Sequence, residues 1–176
     1  MGGGHLILTI GALMLLLTSI MSINRGLLAN DEDVSVAQAD MLSMSLTSSY
    51  LSIARGYSFD ETIDTAAATV TDPLTFTPHN YFGPDSLSED TLTTFDDVDD
   101  LDGYSLEIQV RGSEQRFKST FTVNYVTDAD PDVISSTQTF LKRIDVRTWR
   151  TFPPPPKTRP PDTARAFVVL SYDDLK

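Results

Sequence analysis

The N-terminal third of the chain carries apolar residues in a helical pattern. Residues 6–23 (LILTIGALMLLLTSIMSI) form an uncharged stretch of 18 residues, which is typical of a helix that spans a bilayer. Apolar residues then recur at helical spacing as far as Ile53. The pattern predicts one helix over His5 to Arg55, roughly 75 Å long at about 1.5 Å per residue. Polar residues between 24 and 33 leave a break into two helices open as the alternative.

The second half of the chain alternates apolar and polar residues with a period of two. Such alternation is typical of strands with one buried and one wet face. Tyr104–Val110 and Phe117–Tyr125 are joined by a short connector, which predicts an antiparallel hairpin. Thr139–Arg150 and Ala164–Tyr172 predict two further strands. The expected fold class is α+β, with the long N-terminal hydrophobic helix packed on a four-stranded antiparallel sheet.

These patterns divide the chain into three regions. Residues 1–56 form the predicted spine helix, residues 57–103 a surface region between helix and sheet, and residues 104–176 the β head. The middle region is rich in Thr, Asp, Ser and Pro. Its aromatic residues predict that it packs against the rest of the protein rather than lying free in solvent. The proline run 152–161 predicts a stiff extended loop, with an arm that docks on a neighbour as the alternative.

Composition narrows the classes of function. The net charge is −12, and because phosphate binding needs clustered Lys and Arg, a nucleic-acid partner is not expected. The chain has no cysteine and two histidines, and no nucleophile or phosphate-binding loop accompanies those histidines. The sequence therefore predicts a protein that is not an enzyme and that has no organic cofactor.

One acidic segment is a candidate calcium site. Residues 95–104 (FDDVDDLDGY) hold five carboxylates within seven positions: Asp96, Asp97, Asp99, Asp100 and Asp102. Calcium takes about 6–8 oxygen ligands, which such a segment can supply, although the spacing is not that of an EF-hand. The alternative is a solvated turn that leads into the first strand.

Together, the Gly-rich start MGGGH, the uncharged helix 6–23, its amphipathic extension and the β-rich C-terminal part resemble the type IV pilin superfamily. The resemblance implies a subunit that polymerises with copies of itself through its hydrophobic helix. The filament core implied here consists of Leu6, Ile7, Leu8, Ile10, Leu13, Met14, Leu15, Leu16, Leu17, Ile20, Met21 and Ile23.

The resemblance also implies how the chain is processed. In that family a prepilin peptidase removes a basic leader, the subunit waits in the inner membrane, and an assembly machinery builds the filament. No basic residue precedes the apolar stretch here, so Met1 is expected to be the mature N-terminus, of the kind that is often methylated. Bacterial pilins usually carry a glutamate at position five. This chain has His5. The pairing of that glutamate with the N-terminal amine of a neighbouring subunit is therefore not expected here.

The expected function is that of a structural subunit of an extracellular filament at the cell surface, for attachment or motility. The alternative is a minor pilin or a membrane-anchored binding module, such as a calcium-dependent adhesin. Charge is uneven along the chain: residues 1–110 hold 17 acids and two bases, and residues 111–176 hold 8 acids and 11 bases. This asymmetry reflects either a solvated acidic loop or attraction between faces of neighbouring subunits.

Overall fold

The computed structural model describes residues 3–61, 70–154 and 163–174, with the backbone alone for Leu6 and Glu32. The chain divides into two compact units, Met1–Ala39 and Asp40–Lys176. The fold is α+β, with one long helix and one antiparallel sheet.

Helix α1 spans Gly3–Ala54 without interruption. The prediction of a single helix is therefore confirmed, and the polar residues between 24 and 33 do not break it. The helix ends beside Gly56, whose N–H donates to the carbonyl of Ile53 at 2.8 Å. This bond closes the last turn, as expected at a helix C-terminus.

The sheet is a four-stranded antiparallel meander. Its strands are β1 (Ser105–Gln109), β2 (Arg116–Tyr125), β3 (Leu141–Phe152) and β4 (Thr163–Ser171), paired in the order β1-β2-β3-β4. Short 3-10 helices lie at Pro73–Thr75, His79–Tyr81, Asp99–Leu101 and Tyr172–Asp174. All four predicted strands are present, and the hairpin of the first two is confirmed.

The last turns of α1 pack on the inner face of the sheet, within the second unit. The buried helix residues are Ser43, Thr47, Tyr50 and Ala54, which lie three or four positions apart and so share one face. Two of them are small. The Thr47 hydroxyl donates to the Ser43 carbonyl at 2.8 Å, so it has a hydrogen-bond partner within the contact. The Tyr50 ring meets Phe121 of β2 edge-on, with centroids 5.5 Å apart.

The region between helix and sheet contributes to the core. Phe95, Val98 and Leu101 are buried with Tyr50 and with the inward residues of the sheet. A second cluster contains Phe59, Phe76, Tyr125 and Tyr172. The prediction that this region packs is confirmed at Phe59 and Phe76, whereas Leu74 and Tyr81 are 63% and 71% exposed. Residues 155–161 of the proline run lie outside the described residues, so both interpretations of that run stay predictions.

Phe121 offers a test of the core. Its ring is 2% exposed and contacts the rings of Tyr50 and Tyr104. We expect Phe121→Ala to lower the free energy of unfolding by about 3–5 kcal/mol, because it leaves a cavity between helix and sheet. The measurement is urea unfolding of the full chain in detergent, followed by the fluorescence of the single tryptophan, Trp149.

The matched control is Thr122→Ala, because Thr122 is the next residue along β2 and is exposed. It should change the free energy of unfolding by no more than about 0.5 kcal/mol. Equal losses in the two variants would contradict the placement of the core.

Candidate functional site

The first unit exposes the apolar residues that the sequence assigned to a filament core. Ile7 is 73% exposed, Ile10 is 48% exposed, and the other predicted core residues with described side chains lie between these values. The side chain of Leu6, like the whole of Met1, lies outside the described part of the structure. His5 is exposed on the same helix. Isolated exposed apolar residues are ordinary, whereas a contiguous apolar surface of this extent marks a contact with lipid or protein.

The apolar surface extends beyond the predicted core. Leu27, Leu28 and Val34 are 57%, 69% and 56% exposed, and the sequence analysis did not include them because Arg25 and the acids near 31–33 interrupt the apolar run. Among the described residues, α1 is the helix that by length and composition is able to cross a membrane. A signal sequence passes the same test, so the helix alone does not establish a membrane location.

The acidic segment 95–104 does not gather all five of its carboxylates at one point. Oxygens of Asp96, Asp97 and Asp100 lie within 4.8 Å of one another. Asp99 instead faces Lys142, and the Asp102 carboxylate accepts the N–H of Val123 in β2 at 2.8 Å. Three of the five candidate calcium ligands are therefore neighbours, and two are engaged elsewhere.

Hydrogen bonds give the neighbouring carboxylates a structural role. Asp97 Oδ1 accepts the backbone N–H groups of Asp99 and Asp100 at 2.9 and 3.3 Å, and its Oδ2 accepts that of Glu61 at 2.7 Å. Asp100 Oδ2 accepts the N–H of Asp96 at 3.2 Å. Irregular backbone must find partners for its buried N–H groups, and these bonds favour the turn interpretation. Calcium binding at Asp96, Asp97 and Asp100 stays a prediction.

Lys142 is the principal residue that the sequence analysis missed. It is fully buried, and its Nζ donates to the Phe59 carbonyl at 2.6 Å, to Asp99 Oδ1 at 2.8 Å and to Asp60 Oδ2 at 3.3 Å. An ammonium has three donors, and all three have partners here. The Nζ also lies 4.8 Å from the centre of the Phe59 ring and 5.0 Å from that of Phe82.

The acidic partner Asp60 connects the cluster to the middle region. Its carboxylate accepts the backbone N–H of Thr77 at 2.8 Å and lies 3.3 Å from the Thr77 hydroxyl. The Tyr125 hydroxyl donates to the Thr77 carbonyl at 2.8 Å, which ties the same residue to β2. The buried charge cluster, defined as Lys142, Asp60 and Asp99, therefore joins three segments of chain that are far apart in sequence.

Burial within this cluster changes the protonation of its neighbours. Desolvation, followed by the charge of Asp99 and a side-chain hydrogen bond with it, raises the pKa of Asp97 to about 9, against a lowering effect of Lys142. Burial therefore favours the protonated form of Asp97. Desolvation and the carboxylates of Asp60 and Asp99 also raise the pKa of Tyr125, so its hydroxyl keeps the proton that it donates.

Together, the fold and these two sites describe an α+β protein. Its first unit is an exposed apolar helix, and its second unit contains a buried lysine, Lys142. Comparison with protein-family models, with curated proteins and with solved structures found no match to this chain. The proposals below therefore rest on the chain's own residues and geometry.

Replacing the buried cation should destabilise the second unit. We expect Lys142→Met to lower the free energy of unfolding by about 3–5 kcal/mol, because it leaves Asp60 and Asp99 buried without a counter-charge. The control is Arg147→Met, which removes an exposed cation from the outer face of the same strand. Urea unfolding in detergent gives both values, and a loss below about 1 kcal/mol for Lys142→Met would contradict the role of the cluster.

Asp97 should make stability depend on pH. An unfolded aspartate has a pKa of about 3.9, and the folded pKa is about 9, so the folded state binds the proton more tightly. The stabilisation is fully present below about pH 4 and is lost as the pH rises toward the folded value. Asp97→Asn cannot titrate and should give a flatter curve of unfolding free energy between about pH 5 and about pH 8.

The control for this pH dependence is Asp128→Asn, because Asp128 is exposed in a turn. Its stability curve should run parallel to that of the unaltered chain. If the Asp97→Asn curve were parallel to them as well, Asp97 would not be the group responsible.

Proposed function

We propose that the chain is the structural subunit of an extracellular filament of the type IV pilin kind, which serves surface attachment or motility. In this proposal the apolar part of α1 packs against the same part of other copies and forms the filament core. The second unit forms a head in contact with water. The observation that carries the proposal is the length of the exposed apolar surface on α1.

That surface is longer than a bilayer requires. Exposed apolar side chains extend from Ile7 to Val34, roughly 40 Å of helix at about 1.5 Å per residue. The hydrocarbon core of a bilayer is about 30 Å thick, so lipid covers only part of this length. Neighbouring helices of the same kind cover all of it, which favours a polymer over a simple anchor.

Burial of the part of this surface that lies beyond the bilayer supplies a driving force for assembly. Taking one Leu side chain from water into a protein contact contributes about 1.5–3 kcal/mol, and Leu27 and Leu28 are 57% and 69% exposed. In the membrane before assembly, the stretch 6–23 is covered by lipid instead. Growth of the filament then exchanges lipid contacts for helix contacts, and protein packing over Leu27, Leu28 and Val34 is gained in addition.

The second unit has the construction of a water-facing head. Its apolar residues close into a core between helix and sheet, and its outer sheet face carries charged residues such as Lys118, Arg147 and Arg165. No catalytic arrangement enters this proposal. A membrane-anchored binding module needs only the stretch 6–23, and the exposed apolar residues beyond it favour a filament subunit.

Leu28 separates a filament subunit from an anchored module. It is 69% exposed and lies outside the stretch that a bilayer covers. We expect Leu28→Asp to abolish filaments in material sheared from expressing cells, because it places a charge in an apolar helix contact. The chain itself should remain in the membrane fraction, since the stretch 6–23 is unaltered.

The matched control is Leu28→Met, which keeps an apolar side chain of similar size and should leave filaments intact. Electron microscopy and N-terminal sequencing of the sheared fraction give the result. Filaments as abundant with Leu28→Asp as with Leu28→Met would contradict the proposed packing. An unaltered chain that is confined to the membrane fraction would favour the anchored module.

A further inference from the structure

The amine of Lys142 and the carboxyl group of Asp99 lie close enough to react with each other. The Lys142 Nζ lies 2.8 Å from Asp99 Oδ1, and the two side chains are 0% and 7% exposed. The pair joins strand β3 to the short helix Asp99–Leu101, across 43 positions of sequence. Holding an amine against a carboxyl group without solvent raises their effective concentration by orders of magnitude.

The geometry points to an internal amide bond between Lys142 Nζ and Asp99 Cγ, for which the ion pair is the precursor. One proton leaves the ammonium, and the lone pair that this frees on Nζ attacks Cγ. The C–N bond forms, and one carboxyl oxygen leaves as water. The nitrogen loses two protons, and the leaving oxygen gains two. An ammonium and a carboxylate thus become an amide and one water, and no oxidant or co-reactant is needed.

Asp60 is placed to move the protons. Its Oδ2 lies 3.3 Å from Lys142 Nζ, the atom that must lose protons. The Asp60 carboxylate takes a proton from the nitrogen and gives it to the leaving oxygen, so it ends the step as it began. General acid–base transfer of this kind requires hydrogen-bond contact with the reacting group, and the contact between Asp60 and Nζ is present.

The surroundings keep water away from the ion pair. The rings of Phe59, Phe82 and Tyr125 lie 4.8, 5.0 and 5.5 Å from Nζ. Condensation removes two buried charges, whose desolvation is costly, and leaves the Asp60 carboxylate with the N–H and hydroxyl of Thr77 as its partners. The single N–H of the amide keeps an acceptor in the Phe59 carbonyl, which is 2.6 Å from Nζ.

Asp99 is a better acceptor for the bond than Asp60. Asp60 lies farther from Nζ, at 3.3 Å, and both of its oxygens have contacts with Thr77. Those contacts remain after condensation, so Asp60 keeps partners of its own. The inference does not depend on the filament proposal, because all of its residues lie in the second unit.

The test is mass spectrometry of the full chain, denatured and digested with a protease. We expect the peptides that contain residues 99 and 142 to appear joined, at the sum of their masses less one water. Separate peptides of unchanged mass from the unaltered chain would overturn the inference. A bond to Asp60 in place of Asp99 would overturn the assignment of the acceptor.

Two variants test the parts of the mechanism. Asp60→Asn keeps an oxygen for the N–H of Thr77 but cannot relay a proton, so its peptides should stay separate. Joined peptides in that variant would remove Asp60 from the mechanism. Lys118→Arg is the matched control, because Lys118 lies on the outer face of β2. Its joined peptides should match those of the unaltered chain.

Discussion

The ammonium of Lys142 constrains the whole second unit, because a buried cation must be surrounded by acceptors. Desolvation of such a group costs several kcal/mol unless its partners are in place. Those partners are the carbonyl of Phe59 and the carboxylates of Asp60 and Asp99, which come from irregular backbone rather than from the sheet. The described segments that contain Phe59, Asp60 and Asp99 are therefore tied to β3 through this ammonium.

The two units differ in whether their apolar side chains are buried or exposed. The second unit buries a core of its own, through the contacts of Tyr50 and Phe121 and the clusters around them. The first unit leaves its apolar side chains exposed from Ile7 to Val34. Such a helix needs lipid or protein over its apolar side chains, and in the proposed filament other copies of the chain provide that cover.

Periodicity predicted the helix and the four strands because each signal is local and repeated. The predicted end at Arg55 differs from the observed end by one residue, and β2 was placed within one residue at its start. The charge cluster was missed, although its position followed the pattern: Lys142 lies two residues before Ile144, on the same inward face of β3. Its partner Asp60 lies 82 positions away, and no local pattern reveals a contact of that range.

The acids of the middle region were interpreted from the sequence as surface charge, and their placement changes that interpretation. Asp60, Asp97, Asp99 and Asp100 are each no more than 5% exposed, and they hold backbone N–H groups or the ammonium of Lys142. Asp60 and Asp99 face the ammonium of Lys142 and burial favours the protonated form of Asp97, so these acids add less to the charge that a neighbouring molecule senses. The charge asymmetry along the sequence therefore overstates the asymmetry of the surface. In the proposed filament, attraction between subunits therefore comes mainly from the apolar side chains of α1, which are exposed from Ile7 to Ile23.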